Sequence, residues 1–276
     1  MAGLDLPVGE LATFAAAIAA AGVVSGLMAG IFGIGGGAVL VPVFYQVFGM
    51  LGVDEAVRMH LSVGSSLGII VPTSIRSFLG HKARGAVDMD LLRSYIIPVP
   101  AGVVLASLTA AYISSAGLRT IFAIITLLVA FRLIFNRETW QIGSDIPGNP
   151  ARAVAGALIG YLSTLMGIGG GVLNNTFMTL FGRPMHQAVA TSSGVGVLIA
   201  IPGTFGYIWA GWGNPLLPVA STGFINWIAV ALIIPIALIV TPYGVRVAHA
   251  LKKRQLEIGF GLFCIFVSVR FFLSLV

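Results

Sequence analysis

Apolar residues run along this chain in ten stretches, at about 11–32, 38–50, 61–79, 94–114, 118–135, 151–166, 171–182, 188–210, 222–242 and 256–275. Two of them, 38–50 and 171–182, are too short for a helix to cross a hydrocarbon core, which takes about 20 residues. Each follows the same glycine run: Gly33-Ile34-Gly35-Gly36-Gly37 and, 134 positions later, Gly167-Ile168-Gly169-Gly170-Gly171. Three adjacent glycines break a helix and release backbone N–H and C=O groups that lipid cannot satisfy, so they belong where protein or a wet cavity surrounds them. Each short stretch therefore reads as the second half of a re-entrant helix hairpin.

The duplication extends beyond the glycines. His60-Leu61-Ser62-Val63-Gly64-Ser65-Ser66 parallels His186-Gln187-Ala188-Val189-Ala190-Thr191-Ser192 at an offset of 126. Pro100 to Val103 parallels Pro242 to Val245 at 142, and Leu118 to Arg132 parallels Leu256 to Arg270 at 138. The pattern predicts an all-α polytopic membrane protein of about ten helical segments in two repeats, residues 1–135 and 151–276, joined by a short cytoplasmic linker at 136–150. Each repeat is a glycine-broken re-entrant hairpin followed by three transmembrane helices.

Composition supports the membrane reading. Only 9% of the 276 residues are charged, 58% are hydrophobic, and the mean hydropathy is +1.02; soluble domains carry about 25% charged residues. The formal net charge of +6 is gathered in short loops and reports topology, with no nucleic-acid partner implied. Lys82, Arg84 and Arg93, then Arg137 and Arg152, then Arg246, Lys252, Lys253 and Arg254 mark three cytoplasmic loops. Consistent crossing then requires each hairpin to enter and leave on one side, which makes the repeats inverted and puts both termini outside. The N-terminus has Asp5 and Glu10 and no basic signal-peptide region. Cys264, the single cysteine, reads as a core residue.

A half-helix beginning at the bilayer midplane presents free N–H groups and a positive dipole end, which suits an anion. Gly33, Gly35, Gly36, Gly37, Gly169, Gly170 and Gly171 are thus candidate substrate-binding positions, close helix packing being the alternative. Asn174 and Asn175 place two amides inside the second half-helix, to donate to substrate oxygens or to bond a neighbouring helix. Ser65, Ser66, Thr191 and Ser192 supply hydroxyls at the starts of helices packing on the hairpins, unless they bond back to their own carbonyls. His60 and His186 are candidate proton carriers or structural residues. Arg76 is either a cytoplasmic anion-capture residue or a side chain snorkelling to the interface. Arg132 and Arg270 read as helix-end anchors. Every Asp and Glu is expected in a terminus, a loop or at a helix edge, which argues against an intramembrane carboxylate relay. The four histidines are scattered, and no metal-ligand cluster or nucleophile–base pair is evident, so no cofactor, metal site or enzymatic activity is expected.

At these residues the chain resembles the TauE/SafE sulfite exporter family, also called the 4-toluene sulfonate uptake permease family. The likeness spans nearly the whole chain and rests on the two glycine runs, Val71-Pro72-Thr73-Ser74-Ile75-Arg76-Ser77, Gly85-Ala86-Val87-Asp88, Ala190-Thr191-Ser192 and Ile201-Pro202-Gly203. Ser65 stands where the family's first Thr-Ser pair would have Thr, and keeps the hydroxyl. The resemblance implies a carrier of sulfite or C2 sulfonates such as sulfoacetate in the bacterial inner membrane. The partners are then the anion and the bilayer, and a homodimer is left open. Export by alternating access is the expected mode, with sulfonate import or an anion channel as alternatives.

Overall fold

The structure is a computed structural model that describes residues 8–32, 36–135, 141–250 and 253–274. Its elements in order are α1 (Val8–Phe32), α2 (Gly37–Met50), α3 (Glu55–Lys82), α4 (Met89–Ser94), α5 (Pro98–Ala110), α6 (Ser115–Phe135), α7 (Ala151–Leu165), α8 (Gly171–Leu180), α9 (Met185–Ala210), strands β1 (Ser221–Thr222) and β2 (Ile225–Asn226), α10 (Trp227–Ala250) and α11 (Lys253–Leu273). Among the described residues the chain is all-α apart from this two-stranded antiparallel ladder.

Ten apolar stretches become eleven helices among the described residues because the segment before 94–114 forms a short helix of its own. Asp88 caps α4, accepting from the N–H of Leu91 at 3.0 Å, and Pro98 restarts the chain at the first turn of α5. A proline fits that position because its missing N–H has no partner there anyway. The expected span at 222–242 also begins later, at Trp227, since residues 221–226 form the ladder.

Three helices are long and apolar enough to cross a membrane among the described residues: Ser115–Phe135, Met185–Ala210 and Trp227–Val247. Shorter apolar helices include Gly37–Met50, Pro98–Ala110 and Ala151–Leu165. With 28 residues α3 is long enough as well, but its sequence is polar. Its Ser62, Ser65, Ser66, Thr73, Ser74 and Ser77 are all buried, so protein and not lipid surrounds that face.

The centre is formed by α3 and α9. Gly194, Gly196 and Gly203 lie against Phe78, Ser74 and Leu67 respectively, so these two helices run antiparallel. The last helices of the two halves do the same: Ser268 Oγ donates to the carbonyl of Ala123 (2.8 Å), while Arg254 reaches the carbonyls of Leu133 and Ile134. The first helix of each half packs into the other half. A methyl group on Gly30 of α1 would overlap the carbonyl of Thr241 in α10, and one on Gly160 of α7 would overlap the carbonyl of Val99 in α5. Gly244 and Gly102, matched at the offset of 142, close these contacts against Leu27 and Ala157. Small residues let backbones approach where no hydrophobic force drives helices together. Around this interior the side chains of Leu105, Leu128, Phe131, Leu158, Phe205, Ile239 and Phe266 are exposed, as lipid-facing positions would be.

Candidate functional site

Both short helices begin on a glycine in the left-handed conformation. Gly36 (φ 79°, ψ −4°) precedes α2, and Gly170 (φ 72°, ψ −12°) precedes α8. Glycine adopts this backbone freely, whereas other L-residues lose about 1–2 kcal/mol. Neither cap brings a side-chain hydrogen bond, so the N–H groups of the first turn, which lack intrahelical partners, stay without a side-chain cap.

The two starts meet. Gly37 lies so close to the carbonyl of Gly167 that a methyl group there would overlap it, and Ser66 Oγ donates to the same carbonyl at 2.9 Å. Gly169 also comes near the centre, its carbonyl and Ser74 Oγ both facing the position a side chain at Gly196 would take. Gly33 and Gly35 lie outside the described residues.

On α8 the amides join a buried chain: Asn174 Nδ2 donates to Ser192 Oγ at 2.7 Å, and Ser192 Oγ donates to Asn175 Oδ1 at 2.7 Å. The same amide nitrogen lies 3.4 Å from Met178 Sδ. Asn174 and Ser192 are fully buried, yet among the described residues Asn174 Oδ1 has no hydrogen-bond partner, and neither do the hydroxyls of Ser74, Ser163 and Ser25. Ser163 faces the cap glycine Gly170, and Ser25 faces Gly36. Polar atoms buried without partners cost about 1–3 kcal/mol each, so this concentration around two helix starts marks a place where protein stability is given up.

The hydroxyl pairs divide into two kinds. Ser66 and Ser192 touch the hairpins, whereas Ser65 and Thr191 brace loops: Ser65 Oγ accepts the N–H of Asn226 and Thr191 Oγ1 that of Asp88, each at 2.9 Å. Asn226 in turn caps α10 through the N–H of Ala229 at 3.0 Å, as Asp88 caps α4. The motif Gly85-Ala86-Val87-Asp88 thus recurs as Gly223-Phe224-Ile225-Asn226, offset by 138 like α6 and α11. Sequence reasoning missed the second copy because it sits inside an apolar stretch; its offset was the available signal. Ser25 and Ser163 were also missed, since a single serine in an apolar helix carries no pattern, and Ser74 was read only as part of the Val71–Ser77 motif and not as a site residue.

The remaining candidates stand apart. His60 is buried, its Nε2 near the carbonyls of Ala110 (3.1 Å) and Ile113 (2.9 Å), with its ring stacked on Phe224. His186 is exposed at the start of α9, and Arg76 is exposed on α3. The expected absence of buried acids needs correction. Glu257, in the first turns of α11, is 4% exposed, with Arg254 Nη1 3.6 Å from its Oε2. An arginine one turn away is what lets a carboxylate enter the interior.

The family model described as sulfite exporter TauE/SafE matches residues 18–271. A probable membrane transporter protein of Haemophilus influenzae is 31% identical over 253 residues, covering 92% of this chain and 96% of its own. A probable membrane transporter protein of Methanocaldococcus jannaschii is 27% identical over 239 residues, covering 86% of this chain and 87% of its own. No solved structure matches the chain. The match takes in both glycine runs, all the buried amides and hydroxyls around them and both loop motifs, and the chain belongs to the TauE/SafE sulfite exporter family of membrane transporters.

Proposed function

We propose that this protein is a secondary carrier exporting a sulfur oxyanion, sulfite or a C2 sulfonate such as sulfoacetate, across the bacterial inner membrane by alternating access. The observation that carries this reading is the convergence of two uncapped half-helix starts, Gly37 against Gly167, beside buried hydroxyls that lack partners among the described residues. Helix N-termini and hydroxyl donors match the oxygens of a sulfonate or sulfite. Asn174, Asn175, Ser66, Ser192, Ser74 and Ser163 would hold the anion, and Ser65 and Thr191 would hold the loops that close over it.

The architecture under this reading is a pair of inverted repeats with both termini outside. The antiparallel contacts of α3 with α9 and of α6 with α11 support it, since inversion turns each helix against its counterpart. The Asp88 and Asn226 loops then lie on opposite faces, and each would release its hydroxyl (Thr191 or Ser65) in turn as the site opens to one side. A negative-inside potential favours anion efflux by about 2.3 kcal/mol per charge per 100 mV, enough to drive export without a cation.

The test is thermal stabilisation of the purified protein by sulfite, sulfoacetate, taurine, sulfate and chloride, repeated with Asn174→Ala. Stabilisation by a sulfonate or sulfite that vanishes in the variant is the expected result. No response to any sulfur anion would overturn the substrate class.

A further inference from the structure

At the far end of α2 from its glycine cap lies a second polar site. Tyr45 and Gln46 of α2, Glu55 and Arg58 at the start of α3, Arg119 at the start of α6, and Arg270, Leu273 and Ser274 at the end of α11 line an open cleft of about 360 Å³. That volume is at the small end of the range for small-molecule sites. From Gly37 to Tyr45 is eight residues of helix, about 12 Å, which separates this cleft from the glycine runs.

Its chemistry is unlike the rest of the interior. Three guanidinium groups face one carboxylate, a surplus of two positive charges. Arg119 is 4% exposed and held firmly: Nη2 donates to Glu55 Oε1 at 2.6 Å, Nη1 to the carbonyl of Ser274 at 2.7 Å and to its Oγ at 3.2 Å, while Nε has no partner. Arg58 is tied to the carbonyl of Val53 through Nε (3.1 Å) and Nη2 (2.8 Å). Both guanidinium groups lie over the ring of Tyr45, at 5.4 Å for Arg58 and 5.3 Å for Arg119. Arg270 is exposed, and its side chain has no hydrogen bond or ion pair among the described residues. Two arginines are thus fixed in place and the third is uncommitted, although burying a cation beside a single half-exposed carboxylate is costly.

The other end of the α6–α11 pair shows the same scaffold with a buried carboxylate in it. The offset of 138 matches Arg270 with Arg132 and Arg119 with Glu257. Arg132 Nη2 donates to Thr179 Oγ1 at 3.0 Å and lies within electrostatic reach of Glu257. Where one end holds a buried carboxylate, the other holds a third guanidinium.

We propose that this cleft is an anion site distinct from the glycine runs, binding a tetrahedral oxyanion through Arg270 and Arg58 over the face of Tyr45, with Arg119 as a positioning residue. The ligand chemistry is that of sulfate, a sulfonate or phosphate, the last either free or as a phospholipid headgroup. On the topology proposed above, which this clause alone rests on, the cleft opens to the extracytoplasmic face, where the positive-inside rule would otherwise disfavour three clustered arginines.

The experiment measures equilibrium binding of labelled sulfate to the full-length protein in neutral detergent, with inorganic phosphate as competitor. In parallel, the protein is placed in phosphatidylcholine nanodiscs with and without phosphatidylglycerol, and bound lipid is counted by native mass spectrometry. Arg270→Gln is expected to weaken binding by about tenfold or more, as loss of a charged hydrogen bond does, with the ligand-free melting temperature unchanged. Arg58→Gln should weaken it too, and Asn174→Ala should leave this site intact. Arginine-dependent sulfate or phosphate binding identifies a soluble anion; arginine-dependent retention of phosphatidylglycerol alone identifies a lipid headgroup. Binding that neither arginine substitution alters, or no binding of any of these probes, overturns the proposal. Binding lost in Asn174→Ala but unaltered in both arginine variants would overturn it while sustaining the site at the glycine runs.

Discussion

The two half-helices leave the centre from nearly the same backbone, their cap glycines differing by 7° in φ (79° against 72°). Four residues beyond the caps they part: α2 continues Leu40-Val41-Pro42, all packing, and α8 continues Asn174-Asn175-Thr176, with a hydrogen-bonded chain to Ser192. The two short helices share their starting geometry, and only the second carries buried amides. In the anion site proposed above, the backbone contribution would be symmetric and the selectivity would rest on the second hairpin.

The largest effect should come from breaking what the halves share. Gly37→Ala would drive a methyl group into the carbonyl of Gly167, a backbone atom with no room to yield. It is expected to abolish transport and to lower the unfolding midpoint well beyond Gly52→Ala. That control carries φ 74° with nothing near it, and should cost only the about 1–2 kcal/mol of left-handed strain. Equal losses for the two variants would show that the meeting of the runs is not what matters.

A sharper comparison exchanges packing for chemistry at matched positions. Leu40→Ala removes a fully buried side chain and should destabilise by about 2–5 kcal/mol while anion-induced stabilisation survives. Asn174→Leu should do the reverse, keeping most of the stability and reducing transport by about tenfold or more, as loss of a buried polar contact to an anion would. Transport that falls equally in both would place the chemistry elsewhere.

The smallest effects test the loops. Ser65→Ala and Thr191→Val each remove one acceptor for a loop N–H and should cost about 0.5–1.5 kcal/mol apiece. Hydrogen exchange at the amides of Asn226 and Asp88 reads each loss directly. Similar acceleration at both sites is expected, and a response at one alone would break the equivalence of the loops.

Most of the helical plan was legible in the sequence because membrane spans and glycine runs are written in hydropathy, and a duplicated pattern can be checked against itself. What hydropathy hides is a boundary inside apolar sequence. The stop before Pro98 and the ladder at 221–226 both fall in such stretches, where the deciding features are one ring without an N–H and one loop glycine. The buried polar set was partly legible: Asn174 and Asn175 stand out in an apolar helix, whereas Ser163 and Ser74 become notable only when a neighbouring helix brings a glycine against them. Charge at a helix end misled once: Glu257 reads as solvent-exposed until Arg254 is seen beside it.

The glycine ridge of α1 also bears on how the protein is made. Gly22, Gly26 and Gly30 are complementary to α10, near the other end of the chain, so α1 must enter the bilayer and wait through most of synthesis before its partner is translated. During that interval its groove is open to lipid, to other nascent helices and to the insertion machinery. The second half faces no such delay, because α5 is already in place when α7 emerges. Biogenesis is therefore asymmetric in a molecule whose finished contacts are not, and substitutions in α1 should reduce yield in cells more than their counterparts in α7.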